Sequence, residues 1–159
     1  MICYFLVLSL FSSSDSMGYT KKLAQSTESR IETCLLVHEE ARRQEVDILL
    51  ALSIAFHESK FEKDAIASDG KGFGAMQATP RLWCDNKKKE NCDLIKAGVT
   101  ALKQYLVIHD YNEAKAVESY AGKGKKAKEY SKKILKLKNK ATIIMESIKH
   151  ETIVIFKTE

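Results

Sequence analysis

Pro80 is the only proline among 159 residues, and glycines number seven. Proline and glycine are the strongest punctuators of local structure, so a chain this poor in them favours helices. The length suits one domain with a single sizeable core. Hydrophobic residues at 45% and charged residues at 30% are an ordinary globular balance. The expected fold class is therefore mostly α.

Apolar periodicity places the helices. Residues 26–43 read as a helix with Ile31, Cys34, Leu35 and His38 on one stripe. Asp47 can cap a second helix, which carries Ile48, Ala51, Leu52, Ala55 and Phe56 at helical spacing. Residues 64–80 read as an irregular segment, with Gly70, Gly72 and Gly74 at alternate positions. Asp93 starts a third helix with Ile95, Val99, Leu102 and Leu106 on its stripe. A short helix follows from Glu113 to Tyr120, stopped by Gly122 and Gly124. A last, basic helix begins near Lys125, with Ala127, Tyr130, Ile134 and Leu137 inward. Residues 139–159 read as a basic tail of uncertain structure, β-prone from Thr152 to Phe156. The main domain is thus expected over residues 26–138.

The apolar run from Ile2 to Phe11 precedes Ser12, Ser13, Ser14, Asp15 and Ser16. It resembles the core of a secretory leader, expected over residues 1–18, although it lacks a basic start and an Ala-x-Ala site. A buried N-terminal helix or strand is the other reading. No stretch is long enough to span a membrane. The leader-like run makes the expected location exported, periplasmic or extracellular. Cys84 and Cys92 bracket a polar segment with three consecutive lysines, which a disulfide would tie down. Cys34, on an apolar stripe, is expected to be a buried thiol. The net charge of +5 suits an anionic polymer or a solvated surface. The lysines are spread through helical pattern and not clustered with aromatics, so no nucleic-acid partner is expected.

Glu58 sits near the C-terminal end of the helix that Asp47 starts. The residues three, four and seven positions earlier are Ala55, Ile54 and Ala51, so its carboxyl leaves the helix on the apolar side. Burial and the negative end of the helix dipole both raise a carboxyl pKa, and a carboxyl protonated near neutral pH can act as a general acid. Pairing with Lys60 or Lys63 is the plain structural alternative.

After Glu58-Ser59-Lys60-Phe61 come Gly74-Ala75-Met76-Gln77 and then Ser119-Tyr120-Ala121-Gly122. This ordered set resembles the soluble lytic transglycosylase family, related to goose-type lysozymes, whose motifs are Glu-Ser-x-Phe, Gly-Leu-Met-Gln and Tyr-Asn-Ala-Gly. Here Ala75 replaces the leucine, and no asparagine follows Tyr120. The resemblance spans about residues 37–135. It implies a lysozyme-like domain with a glycan-binding cleft and cleavage of the β-1,4 bond between N-acetylmuramic acid and N-acetylglucosamine. Glu58 would be the catalytic acid, and 1,6-anhydro ends the product. It assigns the groove to Ser59, Gly74, Ala75, Met76, Gln77 and Tyr120. Met76 would form an apolar wall, Gln77 would bond the sugar or local backbone, and Tyr120 would reach toward Glu58 or the N-acetyl sugar.

The expected partner is peptidoglycan, met by a monomer, with a secretion or conjugation machine as a candidate host. A hydrolytic lysozyme and a non-catalytic peptidoglycan-binding protein are the alternatives. No cofactor or metal is expected. His57-Glu58 begins like a zinc-protease motif, but Phe61 holds the second histidine position.

Overall fold

The computed structural model describes residues 2–9, 20–85 and 87–156. Among the described residues there are seven α-helices and no sheet. They are α1 (Ile2–Ser9), α2 (Thr20–Arg43), α3 (Ile48–Ser59), α4 (Pro80–Trp83), α5 (Leu94–Ile108), α6 (Glu113–Ala121) and α7 (Lys125–Phe156). No helix is long and apolar enough to cross a membrane among the described residues.

The fold is organised around α3. Leu50, Ala51, Leu52, Ser53, Ile54 and Ala55 are all buried, so this helix is enclosed on every side and not on the single stripe expected. A helix that is apolar all round has to be central. α2 and α7 pack on it, and α5 and α6 complete the bundle. Truncating a wholly buried leucine such as Leu50 would cost about 2–5 kcal/mol. The Asp47 carboxylate accepts the Leu50 backbone N–H at 2.8 Å, which caps α3 as expected. Lys138 of α7 pairs with Asp47 (3.0 Å) and Glu113 (2.5 Å), tying α7 to the start of α3 and of α6.

The inward face of α2 is rotated from the expected stripe. Thr33, Cys34, Val37 and Ala41 are buried, while Leu35 is exposed. Residues 33, 37 and 41 stack four apart on one face, which leaves residue 35 turned away. The tail also differs: α7 runs unbroken through Phe156, and Ala141 is buried. A helix already propagating gains one hydrogen bond per residue, which outweighs the weak helix propensity of the β-branched residues near its end.

Residues 2–9, expected as the core of a leader, form α1 against α2. Cys3 and Val7 are buried, the arrangement named above as the other reading of that run. The serine-rich segment after Phe11 lies outside the described residues. Cys3 is joined to Cys34 with a Cα–Cα distance of 5.7 Å, which corrects the expectation that Cys34 is a thiol. The signal missed was pairing across the presumed leader. Cys84 and Cys92 form the second disulfide, closing the polar segment between α4 and α5. Two such bridges accord with an oxidising, extracytoplasmic compartment.

Candidate active site

The site begins where α3 stops. Lys60, the C-cap, and Phe61 after it both have left-handed backbone, with φ of 56° and 63°. Lys60 N–H bonds back to Phe56 O at 3.0 Å. Phe61 is completely buried and anchors the reversal. Arg30 of α2 reaches over this end, donating to Lys60 O at 2.5 Å and pairing with Glu62 at 2.7 Å. A guanidinium on the terminal carbonyls satisfies acceptors that the helix itself leaves open. The end of α3 is thereby fixed, with Glu58 in its last turn.

Glu58 is partly buried, and burial raises its carboxyl pKa above the usual value; a hydrogen bond from Tyr130 pulls the other way. The Tyr130 hydroxyl donates to Glu58 Oε1 at 2.5 Å. Tyr130 itself is raised well above the ordinary phenol range, first by burial and then by the nearby carboxylate, so it stays a donor. The His57 ring meets Tyr130 edge-on at 5.0 Å and 83°. Desolvation, followed by the charges of Lys60 and Lys133, holds His57 below its usual pKa, so it is neutral at neutral pH.

The Gly74–Gln77 turn lies against this helix end. Ser59 Oγ donates to Ala75 O at 2.8 Å, and Ala55 O is 3.3 Å away. The Tyr120 hydroxyl donates to Met76 O at 2.8 Å. Gln77 Nε2 donates to Gly74 O (2.8 Å) and to Ala65 O (3.3 Å), so the amide serves local backbone. Gly74 has φ of 74°, and a side chain there would meet Leu94 at 3.0 Å; both facts require glycine. The three sequence motifs thus converge on one hydrogen-bonded knot, built by α3, the turn and α6.

Two expected roles change. Met76 is completely buried against Gly98 of α5, and Ala75 is buried too, so neither side chain offers a wall to a ligand. Both carbonyls are instead occupied by Ser59 and Tyr120. Tyr120 bonds Met76 O and not Glu58, although it lies close enough for the Glu58 charge to contribute to its raised pKa, behind the larger effect of burial. Tyr120 ends a row of edge-on aromatics, 6.4 Å from Tyr105, which is 5.8 Å from Trp83. These contacts brace the turn from behind.

The residue that sequence reasoning placed in the core and the structure places at the acid is Tyr130. Its position on an apolar stripe of α7 gave no sign that its hydroxyl would meet a carboxyl 72 residues away. Two hollows of about 410 and 400 Å³ are lined by residues other than Glu58, one by Glu39, Glu40, Ala75 and Leu94, the other by Leu52, Phe56 and Ile144. The convergence of a carboxyl whose pKa is raised by burial with fixed donors marks the Glu58 side more strongly than volume alone. Among the described residues no group of three or more His, Cys, Asp or Glu side chains is placed to hold a metal ion. No protein-family model, curated protein or solved structure matches the chain.

Proposed function

We propose that the protein is a peptidoglycan lytic transglycosylase with a lysozyme-like fold, acting outside the cytoplasm with Glu58 as its acid. The observation that carries this reading is a single carboxyl, raised by burial, held by one tyrosine hydroxyl and positioned by a fixed helix end. The three motifs of the resemblance meeting in one knot support it.

The chemistry needs one carboxyl used twice. Glu58 donates its proton to the bridging oxygen as the bond to the muramic C1 breaks. The substrate's own N-acetyl oxygen stabilises the positive carbon. The Glu58 carboxylate then takes the proton of the 6-hydroxyl, and that oxygen closes onto C1. Glu58 ends protonated, no water is consumed, and the products are a free 4-hydroxyl end and a 1,6-anhydro end. An attacking group already held within the bound sugar has a large effective concentration over water.

A two-carboxylate hydrolase would need a second acid about 5–9.5 Å from the first. Asp69, in the glycine-rich loop, is exposed and accepts Lys71 N–H at 3.0 Å, a local turn bond that gives it a structural task. Mass analysis of purified peptidoglycan after digestion tests the reading. Anhydro-muramic ends are expected, with Asp69→Asn retaining most of the activity. Reducing muramic ends together with an inactive Asp69→Asn protein would replace it by a hydrolytic lysozyme, and binding without cleavage would leave a peptidoglycan-binding protein.

A further inference from the structure

Between α1, α3 and α7 lies a hollow of about 400 Å³ that the chemistry at Glu58 does not use. Leu6 of α1, Leu52 and Phe56 of α3, and Leu137 and Ile144 of α7 make its walls. Among the described residues the polar side chains lining it are those of Ser53 and Lys140. The Ser53 hydroxyl donates to Leu49 O at 2.7 Å, so its proton is committed within α3. Walls of this kind offer water few partners, and the volume is that of a small-molecule site. Phe56 and Glu58 are two residues apart, which turns them to opposite faces of α3. An occupant of the hollow therefore leaves the face of the acid open.

Lys140 marks the rim of the hollow. It is exposed, and among the described residues no acid pairs with it, whereas Lys138, two residues earlier on α7, is held by Asp47 and Glu113. A lysine so placed lays its alkyl stem along the apolar wall and keeps its ammonium in water. The rim carries apolar groups as well: Tyr4 and Phe5 precede Leu6, Ile143 precedes Ile144, and all three are exposed. Exposed aromatic and aliphatic side chains beside a basic helix are the makings of an interfacial lipid contact. The Cys3–Cys34 bridge holds α1 against α2, so the Leu6 wall stays in place. No helix among the described residues can cross a bilayer, which leaves contact from one face.

We propose that the hollow takes one acyl chain of an anionic membrane lipid, with Lys140 on the headgroup phosphate, and so seats the protein on a bilayer face. The alkyl chain and the apolar walls both leave water, and the ammonium meets the opposite charge where the chain enters. The net charge of +5 draws the protein to the same surface. A neutral lipid supplies the chain without the charge and binds less well. The seat does not depend on what Glu58 cleaves.

The experiment uses the full chain and two kinds of vesicle, phosphatidylcholine alone and an equimolar mixture with phosphatidylglycerol, read by co-sedimentation. The parent is expected to bind the mixed vesicles at least about tenfold tighter than the neutral ones, since each charge near an anionic surface is worth roughly a factor of five. Lys140→Glu should weaken that binding at least about tenfold. Lys115→Glu makes the same charge change on α6, which contributes nothing to the hollow, and should cost less than about threefold. Ile144→Asp keeps every lysine but puts a charge in the apolar wall, and should cost at least about tenfold. Entry of the chain is read by a Leu137→Trp reporter in a Trp83→Phe background, which removes the one native tryptophan. Vesicles whose phosphatidylglycerol is brominated on its acyl chains should quench that reporter, and the co-sedimentation arm stands whether or not the reporter folds. No preference for the mixed vesicles, equal losses for Lys140→Glu and Lys115→Glu, or full binding by Ile144→Asp overturns the lipid seat. So does binding without quenching of a folded reporter. Quenching by a soluble bromo-fatty acid but not by vesicles overturns it too, in favour of a free carboxylate.

Discussion

Tyr130 of α7 donates to Oε1 of Glu58 at 2.5 Å, joining the last helix to the end of the central one. This bond favours the ionised carboxyl, against the burial that disfavours it. Tyr130→Phe removes the lowering influence, so the Glu58 pKa rises further. The alkaline limb of the activity profile, where the acid loses its proton, should move to higher pH. The maximal rate should fall roughly tenfold, because the carboxylate formed after proton donation loses a charged hydrogen bond. A pH–rate profile measures both. An unmoved limb would show that the contact does not tune the acid.

Glu58→Gln keeps the shape and an acceptor for Tyr130 but has no proton to give. Turnover should drop by at least about a hundredfold. Stability should change in the opposite sense. Because the folded pKa is raised, the stability linked to the protonated carboxyl is complete below the unfolded value and is lost as pH rises through the folded one. The neutral amide avoids that loss. Thermal melts should therefore show the variant gaining on the parent at pH 8 and little different at pH 4. At this chain length about 1 kcal/mol corresponds to roughly 2–4 °C. A Gln variant that digests peptidoglycan at the parent rate would end the assignment.

Gly98 of α5 is where Met76 rests: a Cβ there would lie 2.6 Å from Met76 Cβ. Gly98→Ala must push the turn, at a cost of about 1–3 kcal/mol for overpacking. Tyr120→Phe disturbs the same turn from the other side by leaving the Met76 carbonyl without its donor, at a similar cost. Both should lower the melting temperature and weaken activity. Neither should move the alkaline limb as Tyr130→Phe does, and a pH profile of each variant distinguishes support of the turn from tuning of the acid.

The cysteines offer a direct chemical test. Peptide mapping without reductant should recover Cys3 linked to Cys34 and Cys84 linked to Cys92. A bridge of this kind contributes about 2–4 kcal/mol. Finding Cys34 as a thiol in protein purified from an oxidising compartment would show that α1 is not held there.

Helix starts were legible because they rest on local chemistry: Asp47 and Asp93 each cap their helix through a side-chain bond three residues ahead. The position of Glu58 in the last turn of α3 followed from the same local logic. What the sequence concealed depends on the third dimension. The enclosure of α3 on all sides needed α7 to be in place, and an apolar spacing of Ala51 and Ala55 looks the same on a surface helix. Met76 reads as a ligand wall in a motif but is buried because α5 offers a glycine opposite it. Tyr130 has a hydroxyl whose partner no local pattern names, and Cys34 has a partner across a stretch that periodicity treats as separate.

The Cys84–Cys92 bridge has a consequence for proteolysis. It makes a closed ring of chain around exposed Lys87 and Lys88, which are sites for a protease that cuts after lysine. A single cut inside the ring adds one water to the molecule and releases nothing, because the sulfur bond still joins the two pieces. The nicked protein keeps α4 and α5 attached to one another, migrates as a single chain until reductant is added, and then divides in two. In a protease-rich compartment the same ring converts what would be a severing event into a local scar.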